Sequence, residues 1–198
     1  MSYRIEEKIP LSKYEAISFI ENLKQQGCSN LYPMRRINSD YFDNHQYDLY
    51  RDSEEGLLPR KKIRIRHYPD ELSIKYNLET KVSSIEGRYK ISEAITPKNL
   101  RTYNEEGYFD KEYGILKPKV NVSYNRKYYL YKGIRITLDT EIHYQDLRHS
   151  SNKYFEHSCV IEIKAPNETS LDFLLYIIPE NRRRFSKYCN AIRLLNLV

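Results

Sequence analysis

Hydrophobic and polar residues alternate along much of this chain. From Tyr3 to Ile9, Tyr3, Ile5 and Ile9 fall on one side and Arg4, Glu6 and Lys8 on the other. A period of two is the signature of a β-strand. The same period recurs over 61–68, with Ile63 and Ile65 against Lys62, Arg64 and Arg66. It recurs over 72–82, with Leu78, Thr80 and Val82 against Glu79 and Lys81, and again where Arg88 and Lys90 oppose Tyr89 and Ile91. The cleanest run is 134–142, where Ile134, Ile136 and Leu138 oppose Arg135, Thr137, Asp139 and Glu141. Ile161 and Ile163 against Glu162 and Lys164 give another, and further strands are predicted over 36–42 and 120–131. Lys132-Gly133 reads as a hairpin turn, and Asp43-Asn44 as the start of a loop.

Helices are signalled at three places. Ser12 lies three residues before Glu15, a capping box, and Ala16, Phe19, Ile20 and Leu23 form an apolar stripe behind it that stops at Gly27. Thr96-Pro97 reads as an N-cap followed by proline in the first turn, opening a short helix to about Asn104. Two helices close the chain, roughly 170–178 and 181–195. Strands with helices at the start, middle and end imply an α+β fold on an antiparallel sheet.

The polar strand faces are unusual in carrying Arg and Lys, strand after strand. An open sheet with its charges in water would produce this, and so would a closed barrel with a polar lumen and helices packed on its apolar outside. Composition alone favours the open sheet. The use of arginine at 64, 66, 126 and 135 favours the lumen, because its planar fork suits bidentate phosphate binding. The helical stripes also need an apolar surface to cover. We therefore expect an antiparallel β-barrel tunnel with a charged lumen. Like charges about 4 Å apart repel by roughly 4 kcal/mol at an effective dielectric near 20, so such a lumen requires a polyanionic guest.

Composition narrows the partner. The 198 residues fit a single domain, 1–198, and carry a net charge of +6 with a pI near 9.0. That balance calls for an acidic partner. No DNA-reading helix, RNP-like strand or zinc spacing is evident, so DNA is not expected. The cysteines, Cys28, Cys159 and Cys189, have no CxxC spacing and read as small packing residues. No apolar leader and no membrane-length apolar stretch are seen, and a cytoplasmic location is expected. The histidines are scattered, and the tyrosines read as amphipathic strand residues.

An ordered set of motifs resembles a known family. Arg4-Ile5-Glu6-Glu7-Lys8 looks like an R-x-E-x-K first strand, and Asp40-Tyr41-Phe42-Asp43 like a YFD element. Arg64-Ile65-Arg66 and Leu78-Glu79-Thr80-Lys81 look like its RIR and LEIK strands, with the basic pair Arg88 and Lys90 following. Tyr124-Asn125-Arg126 is similar to YxR, Arg135-Ile136-Thr137-Leu138-Asp139 to RxTxD, and Val160 to Lys164 to LEVK. Arg184-Phe185-Ser186-Lys187-Tyr188 resembles KFSKY, with Arg184 for the first Lys. The set resembles the polyphosphate polymerase domain of vacuolar transporter chaperone (VTC) proteins, within the triphosphate tunnel metalloenzymes, also called CYTH-like.

The resemblance implies a nucleoside triphosphate or polyphosphate as ligand and Mn or Mg as cofactor. It implies catalytic roles for Arg64, Arg66, Arg126, Arg135 and Lys187, and phosphate binding by Lys8, Lys81, Arg88, Lys90 and Arg184. Glu162 would hold the metal, with Glu6 as helper. The expected reaction is polyphosphate synthesis from ATP. The alternatives are a triphosphatase and a non-catalytic polyphosphate-binding module.

Overall fold

The computed structural model describes residues 4–178 and 185–198, Arg4 by its backbone alone. Its elements in chain order are β1 (Arg4–Leu11), α1 (Lys13–Gln25), β2 (Ser29–Asp43), α2 (Asp48–Glu55), β3 (Arg60–His67), β4 (Tyr76–Ser84) and β5 (Gly87–Ile95). There follow α3 (Pro97–Glu105), β6 (Tyr108–Asp110), β7 (Gly114–Tyr131), β8 (Ile134–Asp146), β9 (Lys153–Glu156), β10 (Cys159–Pro166), α4 (Leu171–Ile177) and α5 (Lys187–Leu194). The pairs β1–β10, β10–β8, β2–β3, β3–β4, β4–β5 and β6–β7 are all antiparallel. The chain forms two compact units, one of residues 1–35, 124–142 and 156–185, the other of 36–123, 143–155 and 186–198.

In the first unit the strand order is β1-β10-β8-β7. Ile9 pairs with Ile161, and Ile161 with Leu138, so the apolar positions of three strands line up. They form one core with Ala16, Ile20 and Leu23 of α1 and Leu174 and Ile177 of α4. These helices cover the apolar side of the sheet, as expected. Ser12 caps α1 with the full reciprocal box, Ser12 N–H donating to Glu15 at 2.8 Å and Glu15 N–H to Ser12 Oγ at 3.2 Å. Lys132 and Gly133 both have positive φ, 46° and 79°, which fits a two-residue hairpin turn matched to the strand twist.

In the second unit the order is β7-β2-β3-β4-β5, with β6 on β7. Phe42, Leu49, Ile63, Ile65, Leu78 and Leu116 form its core. Thr96 caps α3, accepting from Asn99 N–H at 3.1 Å, and Leu100 and Tyr103 rest against that core.

The antiparallel α+β architecture is the expected one, but the strand path is open, with β1 and β5 at its ends. Among the described residues no closed barrel is seen. Sequence patterning also missed α2, β6 and β9. It began β4 too early, because the apolar residues Leu72 and Ile74 precede the first ladder pair at Tyr76. Tyr3 and the start of the predicted last helix lie outside the described residues.

Candidate functional site

The charged side of the second unit is built on register. Tyr41 pairs with Arg64 and Arg64 with Glu79; Ser39 pairs with Arg66; Lys62 pairs with Lys81 and Lys81 with Lys90. Side chains on paired positions share a face, so Lys62, Arg64, Arg66, Lys81 and Lys90 lie on the face that carries Glu79. Arg64 and Arg66 are each only 8% exposed, and Ile63 and Ile65 between them are buried too. Strand β3 is therefore covered on both sides, which rules out a solvent-washed face for these arginines. Arg64 donates to Glu79 Oε2 (Nε at 2.7 Å), Lys90 to Oε1 at 2.5 Å, and Arg66 Nη1 lies 3.6 Å away. Burial raises the Glu79 pKa, but Arg64, Arg66 and Lys90 overcome it and hold the carboxyl down at about 2.

Burial pushes the Tyr41 phenol up, yet Arg64, Arg66 and Lys187 more than compensate and its pKa is lowered. Arg64 Nη1 donates to the Tyr41 hydroxyl at 2.6 Å.

The last helix joins the same face through the YFD segment. Tyr41 stacks on Tyr188 with ring centroids 5.1 Å apart, and the Tyr188 hydroxyl donates to Asp43. Asp43 in turn accepts from the backbone N–H groups of Leu49 and Tyr50, at 3.1 and 3.0 Å, fixing the start of α2. Lys62 Nζ donates to Ser186 Oγ, the N-cap of α5, at 2.8 Å. Not every helix thus packs on the apolar side; α5 meets the charged side, because Tyr41 gives Tyr188 a ring to stack on.

The first unit carries a second cluster on the side opposite its core. Lys8 pairs with Glu162 and Glu162 with Thr137; Glu6 pairs with Lys164 and Lys164 with Arg135. Arg126 grips Asp139 with two hydrogen bonds, at 2.6 and 2.7 Å, and reaches Glu162 Oε2 at 3.0 Å. Lys164 holds Glu162 Oε1 at 2.9 Å. Burial would raise the Glu162 pKa, but Arg126 and Lys8 drive it well below the usual carboxylate range. Here acids and bases nearly balance.

Glu6 and Glu162 lie within hydrogen-bonding reach of each other. Glu6 Oε1 is buried and accepts no hydrogen bond among the described residues, its cations Lys8 and Lys164 standing 3.4 and 3.6 Å off. Two adjacent carboxylates with an unsatisfied oxygen fit a hard divalent cation. Among the described residues no set of three or more Asp, Glu, His or Cys is placed to hold one. Water and ligand oxygens would have to complete the shell.

The VTC domain family matches residues 2–196. The chain belongs to that family. No curated protein matches this VTC domain in sequence. Among solved structures, a protein of Pyrococcus horikoshii has a TM-score of 0.62 at 17% identity, covering 97% of this chain and 99% of its own. A Hippeastrum protein described as an adenylyl cyclase with a dominant triphosphatase activity has a TM-score of 0.60 at 16% identity, covering 96% and 95%. A candidate adenylate cyclase from Bacillus halodurans has a TM-score of 0.58 at 15% identity, covering 100% and 91%. The likeness shows a shared fold.

The VTC domain brings most of the predicted residues into two groups. Arg64, Arg66, Lys81, Lys90 and Lys187 gather in the second unit, and Glu6, Lys8, Arg126, Arg135 and Glu162 in the first. Arg88 sits exposed one row beyond Lys90, opposite Ser83. Arg184 lies outside the described residues. Sequence reasoning gave no role to Lys62, Lys164, Tyr41 or Glu79. The signal for the two lysines was their place in the same alternation as Arg64 and Glu162. For Tyr41 and Glu79, nothing in a single sequence marks a residue as the partner of a buried arginine. No helix of the described residues is long and apolar enough to cross a membrane.

Proposed function

We propose that this VTC domain catalyses metal-dependent phosphoryl transfer on a nucleoside triphosphate or polyphosphate, and specifically that it lengthens polyphosphate from ATP. The observation that carries the reading is the row of cations on one face of the second unit. Arg64, Arg66 and Lys90 meet at Glu79, Lys62 and Lys81 lie on the same face, and Arg64, Arg66 and Lys187 together lower the pKa of the buried Tyr41 phenol. Phosphoryl transfer asks mainly for charge neutralisation and positioning around non-bridging oxygens. Arg64 and Arg66 would grip those oxygens, Lys187 would stabilise charge on the group that departs or accepts, and Lys81 and Lys90 would hold the remaining phosphates. In the first unit Arg126, Arg135 and Lys8 are proposed to bind phosphate oxygens, and Glu162 with Glu6 a divalent cation, Mn or Mg. Such a cation, when bound, would withdraw charge from phosphate oxygens.

A triphosphatase is the second reading, favoured by the triphosphatase activity named for the Hippeastrum structure of the same fold. One experiment separates the two. Purified protein is incubated with ATP and Mn or Mg, and phosphate release and chain growth are followed together. Growing chains that disappear in Arg66→Ala and Glu162→Ala support the polymerase. Release without chains makes it a triphosphatase. Neither activity, with polyphosphate still raising the melting temperature, leaves a binding module.

A further inference from the structure

We infer that the Thr137 hydroxyl is a ligand-binding group, donating a hydrogen bond to an oxygen of the anion that this VTC domain binds. The inference rests on the phosphate reading above and adds a neutral donor to its charged residues.

Thr137 lies on β8 with 2% of its surface exposed, and its Oγ1 is buried with no hydrogen-bond partner among the described residues. A buried hydroxyl left unpaired costs on the order of 1–3 kcal/mol. Buried side-chain polar atoms are paired in the large majority of cases, and an exception calls for a cause. Packing supplies none. Valine has the same shape and the same strand preference and would carry no penalty here.

The surroundings point to an anion. Thr137 faces away from the first unit's core, since Ile136 and Leu138 on either side of it enter that core. On its own face it stands between Arg135 and Asp139 along β8. Directly across is Glu162, and beyond Glu162 is Lys8. Asp139 is consumed by the two-pronged grip of Arg126, and Glu162 by Arg126 and Lys164. Both carboxylates beside Thr137 are thus already engaged by cations. Arg135, one pleat away, would draw an anionic oxygen towards the hydroxyl. A hydroxyl differs from these cations in what it selects: it hydrogen-bonds an oxygen without adding charge, so it improves fit without upsetting the balance of acids and bases around it.

The test is equilibrium binding of inorganic tripolyphosphate by calorimetry, on the full chain, with Thr137→Val and Thr137→Ser. Binding to Val should weaken about tenfold or more, the span of a hydrogen bond to a charged partner. Serine, which keeps the hydroxyl, should stay within about threefold of the parent. Without ligand, Val should melt at or above the parent temperature, because it removes an unpaired group. Val binding as tightly as the parent overturns this inference and leaves the phosphate reading intact. Loss in Val and Ser alike assigns the effect to packing and also overturns it. A parent chain that binds no tripolyphosphate overturns the phosphate reading and this inference with it.

Discussion

The Tyr188 hydroxyl donates to the Asp43 carboxylate, tying the first turn of α5 to the end of β2. The two residues are far apart in sequence, and both are buried. Asp43 uses its remaining capacity on the backbone N–H groups of Asn44, Leu49 and Tyr50. One carboxylate therefore organises the end of a strand, the start of a helix and a ring that stacks on Tyr41.

Tyr188→Phe isolates that contact, since it keeps the stack and removes the donor. It should destabilise the ligand-free protein by about 1–3 kcal/mol, the cost of leaving a buried acceptor short of a partner. Asp43→Ala should cost more, because several N–H groups at the start of α2 lose their acceptor. Urea midpoints at constant slope check both.

Glu79 makes stability depend on pH in a definite window. Its pKa falls from 4.5 to about 2 on folding, despite burial, because of Arg64, Arg66 and Lys90. A depressed carboxylate stabilises fully above its unfolded value and loses that contribution as pH falls through its folded value. Glu79→Gln should cost roughly 3 kcal/mol at pH 7, since each tenfold change in acidity is worth about 1.4 kcal/mol. The gap between parent and variant should narrow below about pH 4.5 and close towards pH 2. A gap that stays constant with pH would mean the glutamate acts by packing. Added tripolyphosphate should recover part of the loss at neutral pH, by supplying the missing negative charge.

How far these contacts were visible beforehand varies by residue. The strands were legible because Ile63, Ile65, Ile134, Ile136, Ile161 and Ile163 repeat at the period of the pleat, and α1 because Ser12 and Glu15 announce its start. That Arg64 and Arg66 would be buried on a charged face was legible only from the joint pattern of motifs, since alternating charge also describes a wet sheet. The helix α2 was not legible. Its single fully buried apolar anchor is Leu49, and its start is set by Asp43 from outside the helix and by Tyr47 in the left-handed region at φ 60°. The hold of Arg126 on Asp139 was not legible. A sequence places both residues on charged strand positions but does not say whether they face a ligand or each other.

That hold predicts an asymmetric response to mutation. Asp139 is fully buried and Glu162 nearly so. Arg126→Ala would take the two-pronged partner from Asp139 and one of several cations from Glu162, and breaking a buried pair from one side costs about 3–5 kcal/mol. Arg126→Lys should recover little, because an ammonium does not make the two parallel bonds of the guanidinium. Replacing Arg126 and Asp139 together by Met and Leu should cost less than Arg126→Ala alone. Thermal unfolding of the four proteins checks the order; equal losses in the single and double variants would show that the pair is not what is being broken.

Lys81 offers the sharpest test of whether the second unit is built for a guest or for its own stability. It stands between Lys62 and Lys90 on adjacent strands. Like charges in directly opposed positions destabilise a sheet by about 0.2–1 kcal/mol. Lys81→Gln should therefore melt at or slightly above the parent temperature in the absence of ligand. The same change should weaken tripolyphosphate binding several-fold and flatten its dependence on salt, because one cation fewer meets the phosphates. Opposite signs in the two measurements mark a residue kept for binding at a cost to folding. If Lys81→Gln instead lowers stability and leaves the affinity unchanged, the lysine row serves the fold, and the phosphate site must be sought around Arg64 and Arg66 alone.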